Sequence, residues 1–104
     1  MPTVLALTSC PDAEVAGRIS RVLVEERLAA CVTQLPGARS VFRWEGTVQE
    51  AEEVVCLIKT TTERLPDLRH RLPLLHPYAL PELVVLDVRD GLPAYLAWIA
   101  TETT

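Results

Sequence analysis

Residues 28–61 read LAACVTQLPGARSVFRWEGTVQEAEEVVCLIKTT, and their pattern predicts one long β-hairpin. Strand-forming side chains run from Leu28 to Trp44 and again from Glu50 to Thr61. Pro36-Gly37 interrupts the first strand, which indicates a bulge or a sharp bend. Glu45-Gly46 supplies the turn between the two strands. A hairpin of this length is the largest predicted element of the chain.

The segments on either side of the hairpin predict the remaining elements. Val4–Leu7 is a short apolar run of the buried-strand type, and Ser9 with Asp12 resembles a capping box that starts a helix. Leucines spaced three and four residues apart over residues 65–75 predict a second helix, which Pro73 should end or kink. The other predicted boundaries are the end of the first helix at Glu26 or Arg27, a strand over Leu83–Val88, and a last helix opened by Asp90–Pro93.

The order of these elements predicts the fold. It is strand, helix, strand, strand, helix, strand, followed by one more helix, which is the ferredoxin-like split βαβ arrangement. The chain is therefore expected to be a single α+β domain over residues 1–104.

Composition and charge exclude several classes of protein. The net charge is -4 and the basic residues are scattered, which argues against a nucleic-acid-binding surface. The apolar residues are broken into short runs such as Val54–Ile58, so no membrane-spanning helix is expected. Cys10, Cys31 and Cys56 form no C-x-x-C pair, and their odd number argues against a disulfide framework. Met1-Pro2-Thr3 leads directly into strand-like sequence, so we expect a cytoplasmic protein.

The turn that follows the second helix, His76-Pro77-Tyr78-Ala79-Leu80-Pro81-Glu82, is a candidate site. Two prolines stiffen the backbone, and an imidazole, a phenol and a carboxylate lie within seven residues. The alternative is structural: His76 caps the helix, Tyr78 covers an apolar patch and Glu82 is solvated.

Several blocks of this sequence, in the same order, resemble the CutA divalent-cation-tolerance proteins. The resemblance implies a ferredoxin-like fold and a cytosolic homotrimer held together through the long hairpin, similar to the nitrogen-regulatory signalling proteins. The hairpin that carries Phe42 and Trp44 supports this. It is too long for one small domain to cover, so a partner chain is needed to bury its apolar side chains. The matching blocks are Glu26–Val32, Pro36-Gly37, Arg43–Gly46, Ile58–Thr61, His76–Tyr78 with Pro81-Glu82, and Tyr95-Leu96 with Trp98-Ile99.

The resemblance also implies a link to copper and other divalent metals. The ligands proposed for the family are a cysteine at the end of the first strand and a His-His-Pro-Tyr sequence. Here Thr8 stands at the cysteine position and Leu75 at the first histidine, so His76 is the remaining candidate metal ligand. One imidazole per chain is too few for a closed copper or zinc site, although a threefold axis could bring three together.

A second candidate is a cleft between subunits lined by Trp44, Lys59, Tyr78 and Glu82. A cation, a phenol and a carboxylate beside an aromatic wall suit a small anionic or zwitterionic ligand. Alternatively, Lys59 and Glu82 pair across the interface and only orient the subunits. Catalysis is not expected, since the sequence has no Gly-rich phosphate loop, H-E-x-x-H or paired catalytic carboxylates. A purely structural assembly module remains a further alternative.

Overall fold

The computed structural model describes residues 2–104; Met1 lies outside the described residues. It contains one antiparallel sheet with the strand order β2-β3-β1-β4, together with three α-helices, and this confirms the α+β, ferredoxin-like expectation. The elements are β1 (Thr3–Cys10), α1 (Ala13–Glu25), β2 (Cys31–Trp44), β3 (Thr47–Thr61), a short 3-10 turn (Thr62–Arg64), α2 (Leu65–Leu75), β4 (Val84–Asp87) and α3 (Pro93–Glu102).

The predicted hairpin is present and is slightly longer at its tip than the sequence indicated. β2 and β3 pair from Cys31 opposite Lys59 to Trp44 opposite Thr47, so β3 begins three residues before Glu50. The pairing shifts between Leu35 and Ala38, which is the irregularity that Pro36-Gly37 predicted. The turn residues Glu45 and Gly46 have φ angles of 49° and 81°, as a two-residue turn with two positive φ values requires.

The residues that precede β2 form the turn that ends α1. Arg27 has a φ of 60°, and the N–H groups of Leu28 and Ala29 both donate to the carbonyl of Leu23, at 2.9 and 3.2 Å. These bonds satisfy a carbonyl of the last helical turn. Residues 28–30 therefore lie outside β2, whereas the sequence predicted that the strand begins at Leu28.

Two further boundary predictions were wrong in detail. The cap of α1 is Asp12, whose Oδ1 accepts from the N–H of Val15 at 2.9 Å, whereas Ser9 is part of β1 and does not form a capping box. Pro73 does not end α2, which continues to Leu75, so of its two predicted effects only the kink stays a prediction. The buried side chains of Leu68 and Leu72 hold this helix on the sheet, and a proline removes only one backbone hydrogen bond from it.

The two faces of the sheet differ in how they are covered. One face packs against α1 and α2 and forms the core, with Ala6, Cys56 and Ile58 fully buried in its centre. The opposite face, called here the open face, has α3 over one end, where Ile99 and Thr103 are buried. The open face otherwise carries apolar side chains that are half-buried or exposed: Leu5, Leu7, Leu35, Leu57, Val84 and Leu86.

None of the helices in residues 2–104 combines the length and apolar character that a bilayer-crossing segment needs.

Candidate functional site

The turn after α2 is fixed to the end of β1 by the ring of His76. This imidazole is only 7% exposed, and its Nε2 lies 2.8 Å from the carbonyl oxygen of Ser9. Its Nδ1 accepts the N–H of Tyr78 at 3.2 Å. Since Nδ1 is the acceptor, Nε2 carries the proton and donates to Ser9. Both ring nitrogens are therefore used by the protein itself.

The residues at this position do not fit a resident metal ion. A ligating histidine offers a free ring nitrogen to the metal, and neither nitrogen of His76 is free. Thr8 is completely buried, its Oγ1 has no hydrogen-bond partner among residues 2–104, and the side chain of Leu75 has no atom that could ligate a metal. No group of three or more His, Cys, Asp or Glu side chains that could hold a metal occurs within residues 2–104. Copper ligation by His76 stays a prediction that requires the ring to release one of its two bonds.

We expect replacement of His76 by alanine to lower the free energy of unfolding by about 2 to 4 kcal/mol, because it leaves the Ser9 carbonyl and the Tyr78 N–H without partners. Denaturant unfolding at matched protein concentration measures this. His70→Ala is the control, because His70 is exposed on α2 and its loss should change stability by less than about 0.5 kcal/mol.

The same two variants test the metal role of His76. Copper(II) titration by calorimetry, under conditions where both variants are folded, would confirm a ligand if saturable binding disappeared in His76→Ala and persisted in His70→Ala. Equal copper binding in the wild type and both variants would contradict the prediction.

Next to His76, the half-buried Tyr78 and the buried Glu53 form a polar pair. The hydroxyl of Tyr78 donates to Glu53 Oε2 at 2.9 Å, and the Tyr78 and His76 rings lie 4.7 Å apart. Glu53 is only 7% exposed. Burial, followed by the hydrogen bond to Glu53 and the charge of that carboxylate, raises the pKa of Tyr78 to about 12. The phenol therefore keeps its proton at neutral pH and acts as a donor.

The pair lies at the bottom of a groove of about 700 Å³ between the hairpin and the turn. The carboxylate of Glu82 accepts a hydrogen bond from Ser9 Oγ at 3.3 Å on the turn side. Of the four residues proposed to share a cleft, the structure brings three into this groove. Its principal lining residues are Phe42, Trp44, Glu53, Tyr78, Leu80 and Glu82.

Lys59, the fourth proposed residue, does not line the groove. Its Nζ donates to Thr33 Oγ1 at 3.2 Å, lies 3.7 Å from Cys31 Sγ and sits 5.9 Å from the centre of the Tyr95 ring. It faces the open side of the sheet, and no carboxylate of residues 2–104 pairs with it. A Lys59–Glu82 pair between chains stays a prediction.

Comparisons with known proteins agree on one family. The family model described as CutA1 divalent ion tolerance protein matches residues 4–102. The divalent-cation tolerance protein CutA of Thermus thermophilus is 46% identical over 99 residues, covering 95% of this chain and 96% of the relative. These are not names of enzymes.

Solved structures give the same result. The crystal structure of CutA from Xylella fastidiosa is 50% identical, with a TM-score of 0.96 over 100% of both chains. A structure from Archaeoglobus fulgidus, described as the periplasmic divalent cation tolerance protein CutA, is 31% identical with a TM-score of 0.94, covering 98% of this chain and 99% of that one. The chain belongs to the CutA1 divalent ion tolerance family.

Proposed function

We propose that this chain is a cytoplasmic homotrimer that acts in divalent-cation tolerance, copper included, by binding a small ligand in the groove between the hairpin and the turn. The observation that carries the proposal is the groove itself, which combines aromatic walls with a buried carboxylate at its bottom. In this proposal the protein supports cation tolerance by binding a ligand and signalling, since the described residues do not fit a resident metal.

The open face supports self-association. Leu35, Val84 and Leu86 on this face are 47%, 49% and 54% exposed, and they continue the half-buried row of Leu5, Leu7 and Leu57. An apolar sheet face of this kind is typical of an interface with another chain.

The length of the hairpin is evidence for a trimer that closes into a ring. The outer part of the hairpin extends beyond the end of β1, so that, within the described part of the chain, residues 38–53 pair only with each other. Val41 and Val48, near its tip, are 65% and 63% exposed. An arm that reaches from each chain to the next is a heterologous contact, and three such contacts close a cyclic trimer.

The cysteines support a reducing compartment and argue against catalysis. All three are free thiols, whereas proteins of oxidising compartments usually pair them. Cys10 and Cys56 are fully buried. Their mutual hydrogen bond raises the pKa of Cys10 and lowers the pKa of Cys56 to about 7, but neither sulfur can be reached by a substrate because both side chains are buried. We propose that the protein is not an enzyme.

A complementation assay tests this function. In a bacterial strain that lacks its own CutA, we expect the full chain to restore growth in copper(II), and Trp44→Ala to fail because it removes a wall of the groove. Leu74→Ala is the control, since Leu74 is exposed on α2 and belongs neither to the groove nor to the hairpin arm or the open face. Restoration by Trp44→Ala to the wild-type level would contradict a role for the groove.

A further inference from the structure

We infer that the groove binds a small organic cation, a primary ammonium or guanidinium group carried on an apolar body. This deepens the proposed function, on which it rests, by naming the class of ligand. The juxtaposition that carries it is a buried carboxylate, Glu53, with a second carboxylate and two aromatic side chains around the same groove.

Glu53 is buried and lacks a cationic partner. Its Oε2 accepts from the neutral phenol of Tyr78, and no donor of residues 2–104 bonds to its Oε1. Burying a carboxylate costs several kcal/mol unless a cation or several hydrogen bonds compensate. A ligand ammonium group that reached Oε1 from the groove would supply the missing charge-assisted bond.

The charges around the groove also favour a cation. Glu53 and Glu82 contribute two negative charges, and of the described residues that line the groove only Arg43 is positive. No lysine, arginine or histidine in residues 2–104 makes an ion pair with either carboxylate. The anionic or zwitterionic ligand expected from the sequence depended on Lys59, which lies six residues beyond Glu53 along β3 and does not line the groove. Within one chain, the groove therefore attracts cations and repels anions.

The walls indicate an organic cation in preference to a metal ion. Trp44 and Phe42 stand on one side of the groove and Leu80 on the other. Aromatic faces attract ammonium and guanidinium groups and bury the apolar body that carries them. A divalent metal makes no use of such walls, and it needs more oxygen or nitrogen ligands than two carboxylates provide.

Calorimetry or NMR titration with 2-phenylethylammonium tests the inference. The neutral 2-phenylethanol and the anionic phenylacetate are matched probes with the same ring. We expect the ammonium to bind most tightly, and its affinity to fall about tenfold or more in Glu53→Gln, which keeps the acceptor for Tyr78 and removes the charge. Glu50→Gln is the control, because Glu50 lies on the same strand, is exposed and does not line the groove.

Four outcomes would overturn the inference: equal affinity for all three probes, tighter binding of phenylacetate, no binding of the ammonium, or binding unchanged in both Glu53→Gln and Glu82→Gln. Displacement of the bound ammonium by magnesium(II) or manganese(II) at equal concentration would also overturn it in favour of a metal site. Light scattering on the same samples separates the two proposals. A three-chain particle without ammonium binding contradicts the ligand class alone, whereas a single-chain mass contradicts the trimer.

Discussion

Replacement of Leu86 by glutamate should give single chains of 11.5 kDa instead of the proposed particle of three chains. Leu86 lies on the edge strand β4, pairs with Leu5 and is 54% exposed in one chain, so a charge there is compatible with the fold of that chain. In a trimer closed over the open face, the same charge would be buried three times without a partner. We expect the cost of several kcal/mol per buried charge to exceed what the remaining contacts of such a trimer supply.

Multi-angle light scattering of purified protein at micromolar concentration measures this change. Leu74→Glu is the matched control, because it makes the same substitution at an exposed leucine of α2, on the helical side. The wild type and the control should both have three times the chain mass. A Leu86→Glu protein that kept the wild-type mass would show that the open face is not the interface.

Truncation of Ile58 to alanine should give the largest loss of stability from a single side chain, about 2 to 5 kcal/mol. Ile58 is fully buried on β3 between Ala6 of β1 and Val32 of β2, and its side chain packs in the core beneath the helices. Removing three carbon atoms there leaves a cavity that the surrounding β-strands fill poorly.

Guanidinium unfolding measures the loss, at a fixed protein concentration because association adds to apparent stability. Leu74→Ala is the control, since Leu74 is 67% exposed on α2, outside the open face and the hairpin arm, and should cost less than about 0.5 kcal/mol. A loss below about 1 kcal/mol for Ile58→Ala would mean that the core closes around the cavity.

The element order could be predicted from the sequence because its signals are local. Period-two alternation, the Pro36-Gly37 interruption and the Glu45-Gly46 turn determine the hairpin without reference to the rest of the chain. Helix boundaries were less accurate, since Ser9 and Asp12 are both good caps in isolation. The strand β1 continues through Ser9 because its backbone pairs with Val55 of β3.

The site could be predicted only in part because its contacts are remote in sequence. The candidate turn was identified from its prolines, but the Ser9 carbonyl that holds its histidine is 67 positions away. Glu53 was missed because its partner Tyr78 is 25 positions away and because its burial depends on the register at the Pro36-Gly37 bulge. Lys59 lies outside the groove of its own chain, because its neighbours follow from its pairing with Cys31 and Leu5, and its place in a cleft between subunits stays a prediction.

The free hairpin arm also has a consequence for how the protein folds. Within residues 2–104 its outer residues pair with no third strand, so in the proposed trimer the arm would be completed only when another chain binds, and assembly would be the last and concentration-dependent step. Between folding of the chain and this assembly, the exposed Val41 and Val48 could associate with other unassembled chains in the wrong arrangement. The charged pair of Arg39 and Glu52 stands directly across the two strands beside them. Charged side chains oppose edge-to-edge aggregation, so they would protect the arm before the proposed assembly with another chain.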